Sequence, residues 1–532
     1  MRSCRWRFCD LWRPRWRTRC SSSSRGSAGA TSQSSGKRIE IGMAGELKGA
    51  RVAFLQENAI NESLGLCDLA GHLRDLGVVC RLFLSREERR LRDVLRRFDP
   101  LMCIIPCDLL GHNSALRLAA LAKDATGATV VLGGTHPTFF PNIVLKDGVD
   151  YAFAGEAEGV VTDLLKAVLD GSDPSNIPNL IVRKDDGYRV NPLRPVVPDL
   201  DQLAMPDREI YYRYRFIARF PWKKFSTGRG CLNSCGYCFN PTYRAMIGSP
   251  RHFFRRKSPE RIVREINEVR RRHPVGVVHF SDDLFSSGIE WLEPFVDRYR
   301  KDVGIPFSCN VFATTINERT VRLLKDGGCR AIAMGVEIAD DRLRMEFMNK
   351  PVSTEQIIDA ARLIKRAGIK LVTFNILGLP WSSIDKDIDT LALNQRIGSD
   401  HTRVSILVPF PKSALTKRLM DEGYLVKDFE ERIYEIDDLP HWPAESLFKR
   451  TEPERTIRLY KLWWLMLKLR LSKKWMRRLV NARWSTVLSP ISFLIALTNE
   501  KRIFGFGWLA GIRYFLHVKN PALKTTNYVS FI

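Results

Sequence analysis

Three cysteines stand within eight positions of the segment GRGCLNSCGYCFNP: Cys231, Cys235 and Cys238. Cysteine binds metal as the thiolate, and a structural zinc site would be completed by a fourth Cys or His at short spacing. Cys309 and Cys329 lie far along the chain with no paired CxxC, and no His stands nearby as a partner. Three thiolates on one short loop, with no fourth, suit an iron–sulfur cluster whose remaining iron is open to a substrate or cofactor. What such a loop can do depends on the strands that carry it.

From residue 225 short apolar runs alternate with helical patterns. KKFSTG, GVVHFS, FSCNVFAT, RAIAMGVE, LVTFNILGLP and TRVSILVPFP read as strands. One intervening helix opens at Ser258-Pro259-Glu260 with proline in its first turn. Another opens at Ser353-Thr354-Glu355-Gln356, a capping box, and is closed by Gly368. Six β/α units in about 180 residues predict a (β/α)6 partial TIM barrel, with chemistry at the carboxyl ends of its strands by analogy with eight-unit barrels. The cysteine loop follows the first strand, on that face. Upstream, ARVAFLQ, VVCRLFL, PLMCIIP, ATVVLGG and VDYAFAG are five apolar runs separated by amphipathic helices. They predict a doubly wound, flavodoxin-like (Rossmann-type) α/β domain whose ligand lies beyond the strand ends, at QENAIN, PCDLLG, GGTHPTFF and GEAEG. The expected boundaries are 46–175 for this domain, 176–224 for a Pro- and Asp-rich linker with a DDG hairpin turn, 225–425 for the barrel and 426–532 for a helical C-terminal region.

CLNSCGYC resembles the CxxxCxΦC loop of the radical S-adenosylmethionine enzymes, with Tyr237 in the aromatic place, and it follows the first strand of a six-fold β/α repeat as it does there. The resemblance implies that Cys231, Cys235 and Cys238 ligate three irons of a [4Fe-4S] cluster. The fourth iron would take the amino and carboxylate groups of S-adenosylmethionine, and Tyr237 would contact the adenine. VVHFSDDLF resembles the second-strand segment, placing Ser281, Asp282 or Asp283 near the amino end of the cofactor; otherwise an Asp here merely starts the next helix. MGVEIADDRL resembles the fourth-strand motif and makes Glu337 a contact for the cofactor's polar groups, since a buried Glu without a partner is costly. FNILGLPWSS resembles the fifth-strand pattern and implies a backbone contact near Gly378, with Trp381-Ser382-Ser383 departing from the usual Gly-Glu-Thr. The basic residue often found on the third strand is absent, with Phe312 at that place.

GGTHPTFFP with DYAFAGEAE resembles segments of the cobalamin-binding domain fused to one branch of these enzymes. By that resemblance Gly133 and Gly134 let backbone approach the corrin, Thr135, His136 and Thr138 line its edge or nucleotide tail, and Gly155 and Glu156 close the rim. Domains that ligate cobalt through His carry DxHxxG after the first strand; here ENAINESLG has no His. The cobalamin is therefore expected to lack a His lower ligand, and the HP turn at His136 reads as structural.

At 532 residues and 45% apolar content the chain suits a multidomain globular protein. Of the net charge of +25, residues 1–42 and 451–532 supply 20, so the middle is nearly balanced, and no aromatic-basic module points to nucleic acid. Twelve cysteines are too sparse for a disulfide scaffold, which fits a reducing cytoplasm. MRSCRWRFCDLWRPRWRTRC lacks the apolar core of a signal peptide; residues 1–45 read as a disordered basic arm or precede a true start at Met43. IRLYKLWWLMLKLRLSKKWMRRLV reads as a helix packed on the barrel, or as an interfacial helix making peripheral contact with the inner membrane face. The function implied is a cobalamin-dependent radical S-adenosylmethionine methyltransferase acting on an unactivated carbon of a hydrophobic, lipid-like or natural-product substrate, fed by a flavodoxin or ferredoxin. The alternatives are cyclisation, ring contraction or oxidation with the same cofactors, and a non-catalytic cobalamin-responsive regulator.

Overall fold

The computed structural model describes residues 46–59, 62–109, 111–248, 250–435 and 448–504. The basic arm and the start expected at Met43 lie outside these residues. The N-terminal sheet is built from β1 (Arg51–Gln56), β2 (Val79–Leu84), β3 (Met102–Pro106), β4 (Thr129–Gly133) and β5 (Tyr151–Phe153) in the order β2-β1-β3-β4-β5, all parallel. Val52 to Leu55 are completely buried, as expected of a parallel strand covered on both faces. The DDG turn makes the hairpin of β6 (Leu180–Lys184) and β7 (Gly187–Val190), which adds antiparallel to β5 and extends this sheet.

The linker packs closely as it crosses to the second domain. A Cβ at Gly71, in helix Leu64–Asp75, would strike the carbonyl of Met205, and Asp207 N donates to Cys67 O at 2.8 Å. The barrel strands β8 (Trp222–Phe225), β11 (Val277–Phe280), β12 (Phe307–Val311), β13 (Cys329–Glu337), β14 (Lys370–Leu377) and β15 (His401–Ile406) run parallel in the order β8-β11-β12-β13-β14-β15. All six strands expected from the sequence are present. Between β8 and β11 lies a short ribbon of β9 (Gly228–Arg229) and β10 (Arg255–Arg256). One continuous core joins the two sheets, uniting Phe54, Leu73 and Phe153 with Phe225, Phe280 and Phe307. Both expected caps form. Ser258 accepts from Arg261 N at 3.1 Å, and Ser353 and Gln356 bond reciprocally at 3.1 and 2.8 Å, with Gly368 at φ +71° after the helix.

The barrel remains open, and helix Pro453–Lys468 covers its last strand. Trp463 is fully buried and donates to Thr402 Oγ1 at 2.8 Å, while Trp464 donates to the Thr402 carbonyl at 2.8 Å. An indole thus satisfies a carbonyl of an edge strand that would otherwise invite further pairing. For this helix the packed reading holds. After β14 the chain turns at Gly378, whose N–H donates to Asp387 at 3.0 Å, and Ser382 Oγ donates to the same carboxylate at 2.9 Å. Burial pushes the Asp387 carboxyl up to about 7 despite these two donors.

Two expected outcomes follow from this packing. Trp463→Ala removes a fully buried indole and should cost about 3–5 kcal/mol in thermal or urea unfolding, whereas Trp484→Ala, at a site 65% exposed, should cost under about 0.5 kcal/mol. Asp387 binds its proton more tightly folded than unfolded, so its contribution is complete below the unfolded pKa of about 4 and is lost as pH rises toward 7. The stability advantage of the native chain over Asp387→Asn should therefore shrink from about pH 4 to about pH 8; a pH-independent difference would contradict the assignment.

Candidate active site

The cysteine loop leaves β8 through a ribbon that only glycine permits at two points. A Cβ at Gly228 would strike the carbonyl of Arg255; one at Gly230, at φ +87°, would strike that of Phe253. The loop itself is fastened by backbone bonds, Gly236 N to Met348 O at 2.7 Å and Leu415 N to Gly236 O at 2.7 Å. Side chains add Asn349 to Ser234 O at 2.6 Å and Arg244 to Leu232 O at 3.0 Å and Ser234 Oγ at 2.6 Å. The three thiols are neighbours electrostatically. Burial pushes Cys231 up to about 11 and Cys238 up to about 12, and raises Cys235; each of the first two also feels Asp283 and Cys235. They are thus held as thiols until a cation draws the protons off, so cluster binding here releases protons. Among the described residues no group of three or more His, Cys, Asp or Glu is close enough to share one metal ion. A [4Fe-4S] cubane asks for a different arrangement, each thiolate on its own iron.

Beside the loop, Tyr237 donates to Glu337 Oε1 at 2.9 Å and Lys350 Nζ donates to the same oxygen at 2.8 Å. Glu337 and Lys350 are both buried, and Glu337 takes φ +61° at a bulge ending β13. Gly335 gives this pair its room, since a Cβ there would collide with both charged groups. Glu337 therefore already has a partner within the chain. Sequence reasoning missed Lys350 because the pair is separated by a turn and MNKP carries no motif. Lys350 Nζ also stands 5.1 Å over the ring of Phe312, so a cation occupies the neighbourhood where the third strand itself offers none.

The residues expected after β11 divide their roles. Asp282 accepts from Thr227 N at 2.9 Å and Thr227 Oγ1 at 2.8 Å, bracing the exit of β8. Ser281 N and Oγ both donate to Phe225 O, at 2.8 and 3.2 Å, continuing the strand pair. Only Asp283 reaches toward the cysteines, accepting from Asn240 at 2.8 Å just past Cys238. Burial raises both carboxyls. At Gly378 the N–H is taken by Asp387, so for this group the expected backbone contact with a cofactor is replaced by one within the chain.

Inside the barrel a set of polar residues went unread in the sequence: Lys224, His279, Ser308, Asn310 and Arg403. His279 Nδ1 lies 2.9 Å from Ser308 Oγ and stacks on Trp222 at 5.0 Å. Burial pushes Lys224 down to about 8, and burial with Arg403 and Lys224 presses His279 well below its usual range. The available signal was alternation, one inward residue in two along WKKF and VVHF.

In the N-terminal domain Gly134, at φ +123°, sits where a Cβ would strike the Cys107 carbonyl, and His136 N donates to that same oxygen at 3.1 Å. Gly133 ends β4, and after Gly134 the short helix Thr135–Phe139 opens at Thr135. Thr138 Oγ1 donates to Gly134 O at 2.8 Å and accepts from Gly155 N at 3.0 Å, tying the two expected cobalamin segments together. His136 is fully buried, stacked 4.7 Å from His112, with Nε2 3.2 Å from Tyr434 OH, and burial presses it down to about 3. Glu156 faces the second domain, paired with Arg255 and, at 3.3 Å, with Arg229. A Cβ at Gly155 would press on the hydroxyl of Tyr243, in the helix after the cysteine loop. The strand ends of the two sheets thus meet. Glycine-walled strand ends fit a flat corrin, and the thiol loop fits a cluster.

Comparison with known proteins agrees with this arrangement. Residues 225–392 match the Radical SAM superfamily and residues 58–165 the B12 binding domain. An uncharacterized methyltransferase of Pyrococcus horikoshii is 24% identical over 73% of this chain and 85% of its own length. The hopanoid C-2 methylase of Rhodopseudomonas palustris is 24% identical over 62% of this chain and 60% of its own length. The radical S-adenosylmethionine methyltransferase TsrM from Kitasatospora setae, solved with cobalamin and a [4Fe-4S] cluster, superposes with a TM-score of 0.60 at 17% identity, covering 71% of this chain and 76% of that one, a likeness of fold. With its thiol loop set against the glycine-walled strand ends of the N-terminal domain, the chain joins a B12 binding domain to a radical S-adenosylmethionine domain.

Proposed function

We propose that this enzyme is a methyltransferase that acts on an unactivated carbon of a hydrophobic substrate. The observation that carries the reading is the direct junction of the two cofactor loops, Glu156 to Arg255 and Arg229 and Gly155 against Tyr243. A corrin and a cluster in these loops would face one shared space, as a transfer between them requires. When bound, the cluster supplies the electron that splits S-adenosylmethionine and the corrin supplies the methyl carrier. The chain's own part is to hold and exclude. Cys231, Cys235 and Cys238 hold the cluster; Tyr237, Glu337, Lys350 and Asp283 surround its open side; Gly133, Gly134, Thr135, Thr138 and Gly155 admit the corrin. The names of the relatives, a hopanoid C-2 methylase among them, support methyl transfer to an apolar carbon skeleton. None of the nine described cysteines forms a disulfide, which supports a reducing compartment.

A cobalamin bound at these strand ends would take no His ligand from the described residues. His136 is engaged with Tyr434 and His112 in the interior, and the ENAINESLG segment offers none. The reconstituted protein should show no nitrogenous axial ligand from His, and His136→Ala should leave the cobalamin spectrum unchanged; a signal lost in that variant would overturn the point. For the reaction, anaerobic assays should yield S-adenosylhomocysteine and 5′-deoxyadenosine in step with methylated product. Formation of 5′-deoxyadenosine without S-adenosylhomocysteine would favour cyclisation or oxidation, and no cleavage after reconstitution would favour a regulator. Ala at any one of Cys231, Cys235 or Cys238 should reduce both cluster iron and S-adenosylmethionine cleavage to background.

A further inference from the structure

Of the fourteen large hydrophobic side chains that stand exposed among the described residues, six fall between Leu469 and Leu494, and these include the five most exposed: Val487 at 76%, Trp484 at 65%, Leu469 at 59%, Leu494 at 56% and Trp475 at 54%. The packing of this region does not need them. Helix Lys473–Asn481 buries Met476 and Val480, and helix Ser489–Phe504 turns Ser492 and Ala496 inward, leaving Ile491 and Leu494 on the opposite side. Val487, Ile491 and Leu494 follow the four-and-three spacing of one helical face.

The charges beside them sort into two sets. Lys473 and Arg477 pair inward with Asp389 and Asp385 of helix Ile384–Arg396, at 2.6 and 2.5 Å. Arg470, Lys474, Arg478 and Arg483 are exposed and have no acidic partner among the described residues, and Arg478 stands 4.8 Å over the ring of Trp475. Exposed indoles and aliphatic groups beside unpaired cations are the composition of a surface that enters the headgroup layer of an anionic bilayer. The geometry suits lying on a membrane. Among the described residues no single helix is long and apolar enough to cross, and Lys473–Asn481 and Arg483–Asn499, which together have that length and composition, meet at a bend of 100°.

We infer that residues 469–494 form a docking face for an anionic lipid bilayer, with Trp475, Trp484, Val487, Ile491 and Leu494 entering the interface and Arg470, Lys474, Arg478 and Arg483 meeting the headgroups. This face is separate from helix Pro453–Lys468, whose Trp463 and Leu462 are core residues. The inference does not depend on methyl transfer, because docking is read without cofactors or turnover.

The test is flotation of the full chain with phosphatidylglycerol-containing vesicles and with pure phosphatidylcholine vesicles. Binding should be at least roughly tenfold tighter to the anionic vesicles and should weaken with added salt. Trp484→Ala with Val487→Ala, and separately Lys474→Gln with Arg478→Gln, should each weaken it by roughly tenfold or more, with thermal midpoints near that of the native chain as the control for folding. Failure of the full chain to float with anionic vesicles overturns the inference, as does flotation unaffected by both pairs of substitutions. Self-association that the Trp484→Ala, Val487→Ala pair abolishes would make a second copy the occupant and overturn it as well.

Discussion

The arrangement depends on Arg229. It is the middle residue of GRG, one step from the glycine that leads into Cys231, and its guanidinium meets three carboxylates of the other domain: Asp68 at 3.1 Å, Glu156 at 3.3 Å and Glu158 at 2.5 Å. Burial alone would raise the Glu158 carboxyl, but the Arg229 charge outweighs it and holds Glu158 below its usual range. An ion cluster this enclosed gains little net stability over an apolar contact, because desolvation offsets most of the attraction. What it contributes is geometry. A planar fork fixed on three acceptors leaves the ribbon, and so the first thiol, little freedom relative to the N-terminal sheet.

Around that fixed point the site is held by bonds that do not involve the thiols. Gly236 is clamped between Met348 O and Leu415 N, so the peptide between Cys235 and Tyr237 is set by the turn at Met348 and by the first turn of helix Ala414–Asp421. Tyr237 is then oriented by Glu337, and Glu337 by Lys350, a chain of short contacts that starts in the cysteine loop and ends over Phe312. The positive φ of Glu337 is strain that the Lys350 pair holds in place. The loop is preorganised before any iron arrives, which reduces the ordering that cluster binding must impose.

The parts of this that could be read in the sequence are local. The cysteine spacing, the six strands and the Ser353 capping box each depend on residues within a few positions of one another, and each was found where expected. That a buried Glu337 needs a partner was legible and that Lys350 supplies it was not, since the partner of a buried charge lies wherever the fold brings it. Glu156 illustrates the same limit. Its motif pointed to a corrin rim, and its side chain is paired with Arg255, 99 residues away. The aromatic tail shows a third kind. Helical spacing in IRLYKLWWLMLKLRLSKKWMRRLV announced an amphipathic pattern, but which tryptophans face the barrel was decided by the edge of β15, which took Trp463 and Trp464 and left Trp475 outside.

The residues of the barrel interior fall into layers. At the amino ends of the strands Trp222, Val277, Ala331 and Val372 form an apolar plug. Above it, Lys224 and Arg403 stand with His279 in a polar layer, where burial and the two cations press His279 well below its usual range. At the carboxyl rim stand Asp282, Asp283 and Glu337, with the thiols beside them. The plug side chains fill the amino end of the barrel, and the polar groups lie toward the carboxyl ends, the face that carries the cysteine loop. Burial raises the Asp283 carboxyl, and Lys224 one layer down opposes that shift by favouring its charged form. The site therefore rests on a barrel whose three layers differ in character, a pattern visible strand by strand only once the six registers are aligned.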